Sequence, residues 1–245
     1  MAQRKYDSEE RRRMLIRTTA SMLEEGGLKA VTMRALSARI GISHAAPYRH
    51  FRNKTALLAA VAEDGFDRLA GQLERLDGAW GGEPLERFRT CACGYVHFAV
   101  DNPELYMLMF GMEPAGQESI PRPAQPAHRV LAILGKVTRE CQSHGVFRRE
   151  SPEDQAGFAW SAVHGLSMLM INGLAGNPPE ALQAGRARPA ASGEYPPPPV
   201  SDRKIAERTV EFLVRSFAEP PKDAGGRSPA TLPDEELISK GDDRQ

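Results

Sequence analysis

The 245-residue sequence has no net charge, only three cysteines, and no uninterrupted apolar run of membrane-spanning length. Each scarcity excludes something. Cys91, Cys93 and Cys141 are too few for a disulfide framework, and an odd number favours free thiols in a reducing compartment. The start, Met1-Ala-Gln-Arg-Lys-Tyr-Asp7, has no apolar h-region, so a cytoplasmic location is expected. The stretch between Asp154 and Glu180 carries no formal charge, yet His164, Asn172, serines and glycines interrupt it. That falls short of a continuous apolar span of about 20 residues, so a buried helix is expected there and no membrane partner. There is no Gly-rich phosphate loop, nucleophile elbow or paired zinc helix motif. Cys91 and Cys93 would point to different faces of a helix, and Cys93 with His97 supplies two metal ligands where a site needs more. The expectation is therefore a protein that is not an enzyme and has no cofactor and no metal. Strand-period alternation and internal repeats are also missing, which leaves an all-α fold.

What is present is a folded composition, 41% hydrophobic and 26% charged, with an uneven charge distribution. Through Lys54 there are 12 Lys or Arg against 5 Asp or Glu, and the remainder holds 20 against 27. A basic end on an otherwise acidic chain is how a polyanion-binding module looks.

Apolar periodicity places a helix over residues 8–27, with Leu15, Thr19, Met22 and Leu23 on one face and a stop at Gly26-Gly27. Thr32 offers an N-cap to a second helix, Met33 to Ile40, ended by Gly41, and Ser43 offers one to a third, His44 to Phe51. A longer helix runs from Lys54 to about Leu76, and another follows Pro84 to about Val100. Asn102-Pro103 reads as a cap and first position for Glu104 to Phe110. After a loop, Gly111 to Pro126, come helices at Ala127 to Ser143, Pro152 to Leu174 and Ser201 to Ala218. Residues 176–200 read as a flexible Pro-rich loop and 219–245 as a disordered tail.

The run Thr32 to Phe51 has the layout helix, glycine turn, helix. Leu36, Ile40, Ile42 and Phe51 fix the angle between the two helices, which leaves the second with a small, polar outer face that fits a major groove. Ala45 and Ala46 let that face approach bases, and His44 or Tyr48 can reach base edges or phosphates.

Here the sequence resembles the tetracycline-repressor (TetR) family of transcriptional regulators. The residues that carry the likeness are Glu25-Gly-Gly-Leu-Lys-Ala-Val-Thr-Met-Arg34, Gly41-Ile-Ser43, Tyr48-Arg-His-Phe51 and Lys54-Thr-Ala-Leu-Leu58. Thr18-Thr19 and Ser37 stand where alanine is usual. The second half resembles one branch of the family through Tyr95 to Gly111 and through Trp160, His164 and Gly165.

The resemblance implies an N-terminal three-helix DNA-binding domain, residues 1–54, and a larger helical effector-binding and dimerisation domain, residues 55–218. It implies that Thr32 and Ser43 hold phosphates at helix N-termini, with Tyr48, His50 and Lys54 adding phosphate contacts. Arg34, His44 and Ala45 are the candidates for reading bases, and Pro47 for touching a thymine methyl. Expected partners are a double-stranded DNA operator, a small apolar effector and a second copy of the chain. Candidate effector-lining residues are Tyr95, Phe98, Met107, Phe110, Phe158, Trp160 and Met168, with His164 as a hydrogen-bonding group. Dimerisation is expected on the helices from Pro152 and Ser201, through the face around Val163, Ser167 and Ile171 together with Phe212. The alternative is a DNA-binding protein without effector control.

Overall fold

The computed structural model describes residues 2–79, 83–111, 124–175 and 201–218, so the expectations for the two loops and the tail lie largely outside the described residues. These contain eight α-helices and no strand, in the order α1 (Ala2–Ala30), α2 (Met33–Ile40), α3 (Lys54–Ala79), α4 (Pro84–Asp101), α5 (Pro103–Met109), α6 (Ala124–Ser143), α7 (Pro152–Ile171) and α8 (Ser201–Phe217), with a 3-10 turn at Pro47–Arg49. Among the described residues no helix is long and apolar enough to cross a membrane.

In α1 the expected apolar face is buried, and Thr19 satisfies its hydroxyl on the Leu15 carbonyl at 2.8 Å. The helical path breaks at the glycine pair, where Gly27 takes φ 65°, a left-handed value that glycine adopts without steric cost. The Thr32 side chain caps α2 by accepting the Ala35 N–H at 3.0 Å. Gly41, at φ 75°, closes it, with Ile42 also donating back to the Ser37 carbonyl.

The third helix departs from expectation. Residues 44–46 form a turn and only Pro47–Arg49 is helical, as a single 3-10 turn. Pro47 has no N–H to return to Ser43, so the segment winds through i→i+3 bonds, Ala46 to Ser43 and Arg49 to Ala46. Ser43 contributes its backbone carbonyl rather than a side-chain cap. Asn53 caps the next helix, its Oδ1 accepting the Ala56 N–H at 2.8 Å.

Asn102 also departs from its expected role. Its side chain closes α4, donating to the Phe98 carbonyl, and accepts from Arg68, so it leaves the start of α5 to another residue.

Around α4 pack α3, α6, α7 and α8. The interior is aromatic at both ends of α4. Phe88, Phe147 and Phe217 meet edge to face with centroids 5.0 to 6.2 Å apart, and Tyr95 and Tyr106 are wholly buried. Asp77 joins three helices by accepting from Arg87 and Lys136, each at 2.7 Å. Burial pushes its carboxyl up, but these donors outweigh it and hold it below the usual range.

The face expected to pair in a dimer lies inside the protomer: Val163, Ser167 and Ile171 are all buried. The outward stripe of α7 is instead Phe158, Ser161, Gly165 and Leu169.

Candidate nucleic-acid interface and helical core

Of the residues expected at DNA, Thr32, Arg34, Ser43, His44, Ala45 and Tyr48 are exposed. The Thr32 hydroxyl accepts from Ala35 and keeps its own proton to donate outward. Tyr48 is 52% exposed, so much of its ring faces solvent. Pro47 does not join them. It is buried, which removes it as a contact to a thymine methyl.

His50 is half-buried, and burial followed by Arg11, Arg12 and Arg49 holds its imidazole below the ordinary value. It is therefore neutral at pH 7 and offers an N–H rather than a charge. Lys54 is also half-buried, and its Nζ donates to the Leu28 carbonyl at 2.8 Å. Burial lowers its ammonium below the ordinary range. In this structure Lys54 ties the start of α3 to the end of α1.

Three basic residues not singled out in the sequence add to this end of the molecule. Arg49 and Arg52 are exposed, and Arg12 lies over the Phe51 ring at 5.3 Å. Their only signal in the sequence was the excess of positive charge. Arg39, by contrast, is taken up by Glu25, which accepts from both of its terminal nitrogens.

In the larger half, α4, α5 and α7 bring Tyr95, Tyr106, Trp160 and His164 together. The Tyr106 hydroxyl is 2.6 Å from His164 Nδ1 and 2.9 Å from the Tyr95 hydroxyl, and Trp160 Nε1 donates to Tyr95 at 3.2 Å. Burial depresses the His164 pKa and so favours the neutral ring. Burial likewise pushes the Tyr95 hydroxyl up to about 12 and Tyr106 higher still. Tyr106 and Trp160 both donate to the Tyr95 hydroxyl, and His164 Nδ1 pairs with the Tyr106 oxygen. Phe110 and Trp160 flank the imidazole at centroid distances of 4.4 and 5.4 Å.

Four of the expected lining residues therefore meet: Tyr95, Phe110, Trp160 and His164. Met107 and Met168 are partly buried against the core, and Phe98 faces the Arg68 guanidinium at 5.9 Å. Phe158 lies elsewhere, 59% exposed and beside Phe217. Tyr106 was missed because in the sequence it was one apolar-face position among several.

Glu24 joins the two halves. Its carboxylate accepts the backbone N–H groups of Leu105 at 2.8 Å and Glu104 at 3.4 Å, capping α5 from α1. Burial raises its pKa.

Two family profiles match the chain: the bacterial regulatory proteins of the tetR family over residues 15–61, and the tetracyclin repressor-like C-terminal domain over residues 88–188. The chain belongs to the TetR family. Its fold is shared with a TetR-family transcriptional regulator from Pectobacterium atrosepticum, at TM-score 0.65 and 18% identity over 89% of this chain and 98% of that one. A protein of unknown function from Rhodococcus sp. RHA1 is 27% identical at TM-score 0.65, covering 85% of this chain and 95% of that one. The nucleoid occlusion factor SlmA of Sodalis glossinidius is 32% identical over 114 residues, which are 45% of this chain. That match spans 56% of the relative, so the chain covers little more than half the length of the curated relatives it matches. The architecture of this TetR-family regulator is thus an N-terminal helix-turn-helix followed by a helical C-terminal part.

Proposed function

We propose that this TetR-family protein is a repressor. It binds a palindromic operator as a homodimer through residues 1–54 and leaves it when a small apolar effector enters the helical part, residues 55–218. The observation that carries the reading is the outward set Thr32, Arg34, Ser43, His44, Ala45 and Tyr48 on a small basic helical unit with its own buried core, Leu15, Leu23, Leu36 and Phe51. In this reading Thr32, Ser43, Tyr48, His50 and Lys54 meet phosphates, Lys54 by giving up its bond to Leu28. Arg34, His44 and Ala45 read base edges.

One such unit covers a half-site, so two must be held about 34 to 36 Å apart by a two-fold partner. Support for the partner comes from α7 and α8. Of the five large apolar residues that are exposed among the described residues, three lie there: Phe158, Leu169 and Phe212. Phe158, Gly165 and Leu169 line one side of α7, and Ile205, Thr209 and Phe212 one side of α8, with no charge among them.

The effector reading rests on the Tyr95, Tyr106 and His164 cluster and on its link to α1 through α5. A ligand that displaced Tyr106 would move the helix that Glu24 caps. A gene regulator of this kind works in the cytoplasm. The test is to select an operator from random DNA and then measure its affinity with compounds that stabilise the protein. Stabilising compounds that leave operator affinity unchanged would remove effector control.

A second reading, DNA binding without an effector, has support of its own. The two tyrosine hydroxyls are paired within the cluster, so neither is vacant for a ligand. The Sodalis relative is, moreover, named a nucleoid occlusion factor.

A further inference from the structure

A cleft of about 600 Å³ lies between α3, α4 and α8, a volume within the range of small-molecule sites. It is distinct from the tyrosine and histidine cluster. At roughly 100° per residue, Cys93 and His97 stand about 160° and 200° around α4 from Tyr95. The lining carries four carboxylates, on Glu86, Asp101, Glu207 and Glu211, against the guanidiniums of Arg89 and Arg203. Arg89 is already engaged by Glu86 and Glu211. Asp101, Glu207 and Arg203 form no ion pair among the described residues, which leaves the open part of the cleft with an excess of negative charge. His97 does not offset it. Burial first, and then Arg203, hold its imidazole below the ordinary value, against the opposing pull of Asp101 and Glu207. Its Nε2 is buried without a hydrogen-bond partner. Leu76 and Val210 give the same cleft an apolar side, and the Cys93 thiol, pushed up to about 11 by burial, stays protonated and uncharged.

From this arrangement we infer a binding site for a small organic cation: a protonated amine that donates to Asp101 and Glu207 and rests its apolar part against Leu76 and Val210. The claim is one of binding and stands whether or not the chain is a repressor, so it is tested without DNA. Isothermal titration of the full chain with benzylamine and tryptamine should give saturable binding. Benzyl alcohol and benzoate should bind at least about tenfold more weakly, the order expected when a charge-assisted hydrogen bond is lost. The double substitution Asp101→Asn with Glu207→Gln should weaken the amines by about tenfold or more, while Glu153→Gln, outside the cleft, leaves them unchanged. Occupancy should also slow alkylation of Cys93 in the unaltered protein, a readout that Cys91 and Cys141 do not obscure because both are buried. Equal binding of benzyl alcohol, full binding by the double variant, or no binding by either amine would overturn the proposal. So would amine binding that leaves Cys93 unprotected, and this last arm decides the matter even if the double variant fails to fold.

Discussion

Glu24 of α1 accepts the backbone N–H of Leu105 at 2.8 Å, so a carboxylate from the helix-turn-helix half caps a helix in the other half. The neighbouring Glu104 N–H points at the same group. Removing the acceptor leaves both donors in a part-buried joint, which costs about 1 to 3 kcal/mol for an unsatisfied group. Glu24→Ala should therefore lower urea-unfolding stability by that order. Glu24→Gln keeps one carbonyl acceptor and should lose less. Equal losses in the two variants would show that the cap is not what the carboxylate contributes.

Tyr48 separates binding from folding. Its ring is 52% exposed, so Tyr48→Phe should leave the melting temperature unchanged while lowering affinity for every operator sequence alike. Lys54→Ala should do both kinds of damage, because the Leu28 carbonyl loses its donor. Fluorescence anisotropy and thermal melts on the same preparations give the comparison. A Tyr48→Phe protein with unaltered affinity would take this hydroxyl out of the interface.

Much of the N-terminal half was legible because its signals are local. Thr32 and Gly41 announce a helix start and stop through the chemistry of one residue each, and both act as read. The third helix was misread because Pro47, which a first turn tolerates, falls one position too late: with Ser43 as cap it is the first residue whose N–H would return to the cap carbonyl. The larger half is harder for a different reason. α7 is apolar on nearly every side, so periodicity cannot choose between the stripe of Val163, Ser167 and Ile171 and that of Phe158, Gly165 and Leu169. Only packing against α4, α6 and α8 decides which is inside. The Glu24 cap joins residues 81 positions apart, and nothing in a single sequence marks it.

The two stripes of α7 predict opposite outcomes for the same substitution. Leu169→Arg or Phe212→Arg places a charge on the exposed apolar side and should yield monomers of unchanged helical content that lose specific operator binding. Ser167→Arg puts one where there is no solvent access at all and should unfold the protein. Sedimentation and circular dichroism distinguish the cases. A dimeric Leu169→Arg, Phe212→Arg double variant would place the interface elsewhere.

His164 makes the stability of the larger half depend on pH. Burial holds its imidazole below the ordinary 6.5, so on acidification the unfolded chain takes up this proton before the native one does. The unfolded state then binds more protons, and stability falls as pH drops from the ordinary value toward the depressed native one. Above that window the contribution is complete. The groups packed on the ring are Tyr95, Tyr106, Phe110 and Trp160, none of which titrates in this range, so the effect belongs to His164. His164→Gln keeps a side-chain hydrogen-bonding group beside Tyr106 and removes the titration. It should be less stable than the parent at neutral pH, and the difference should shrink on acidification. Glu24 and Asp64, whose pKa values burial raises, act with the opposite sign but equally in both proteins, so they cancel in the comparison. Melting curves of the two proteins that run parallel from neutral pH into the acid range would show that protonation of His164 is not coupled to folding.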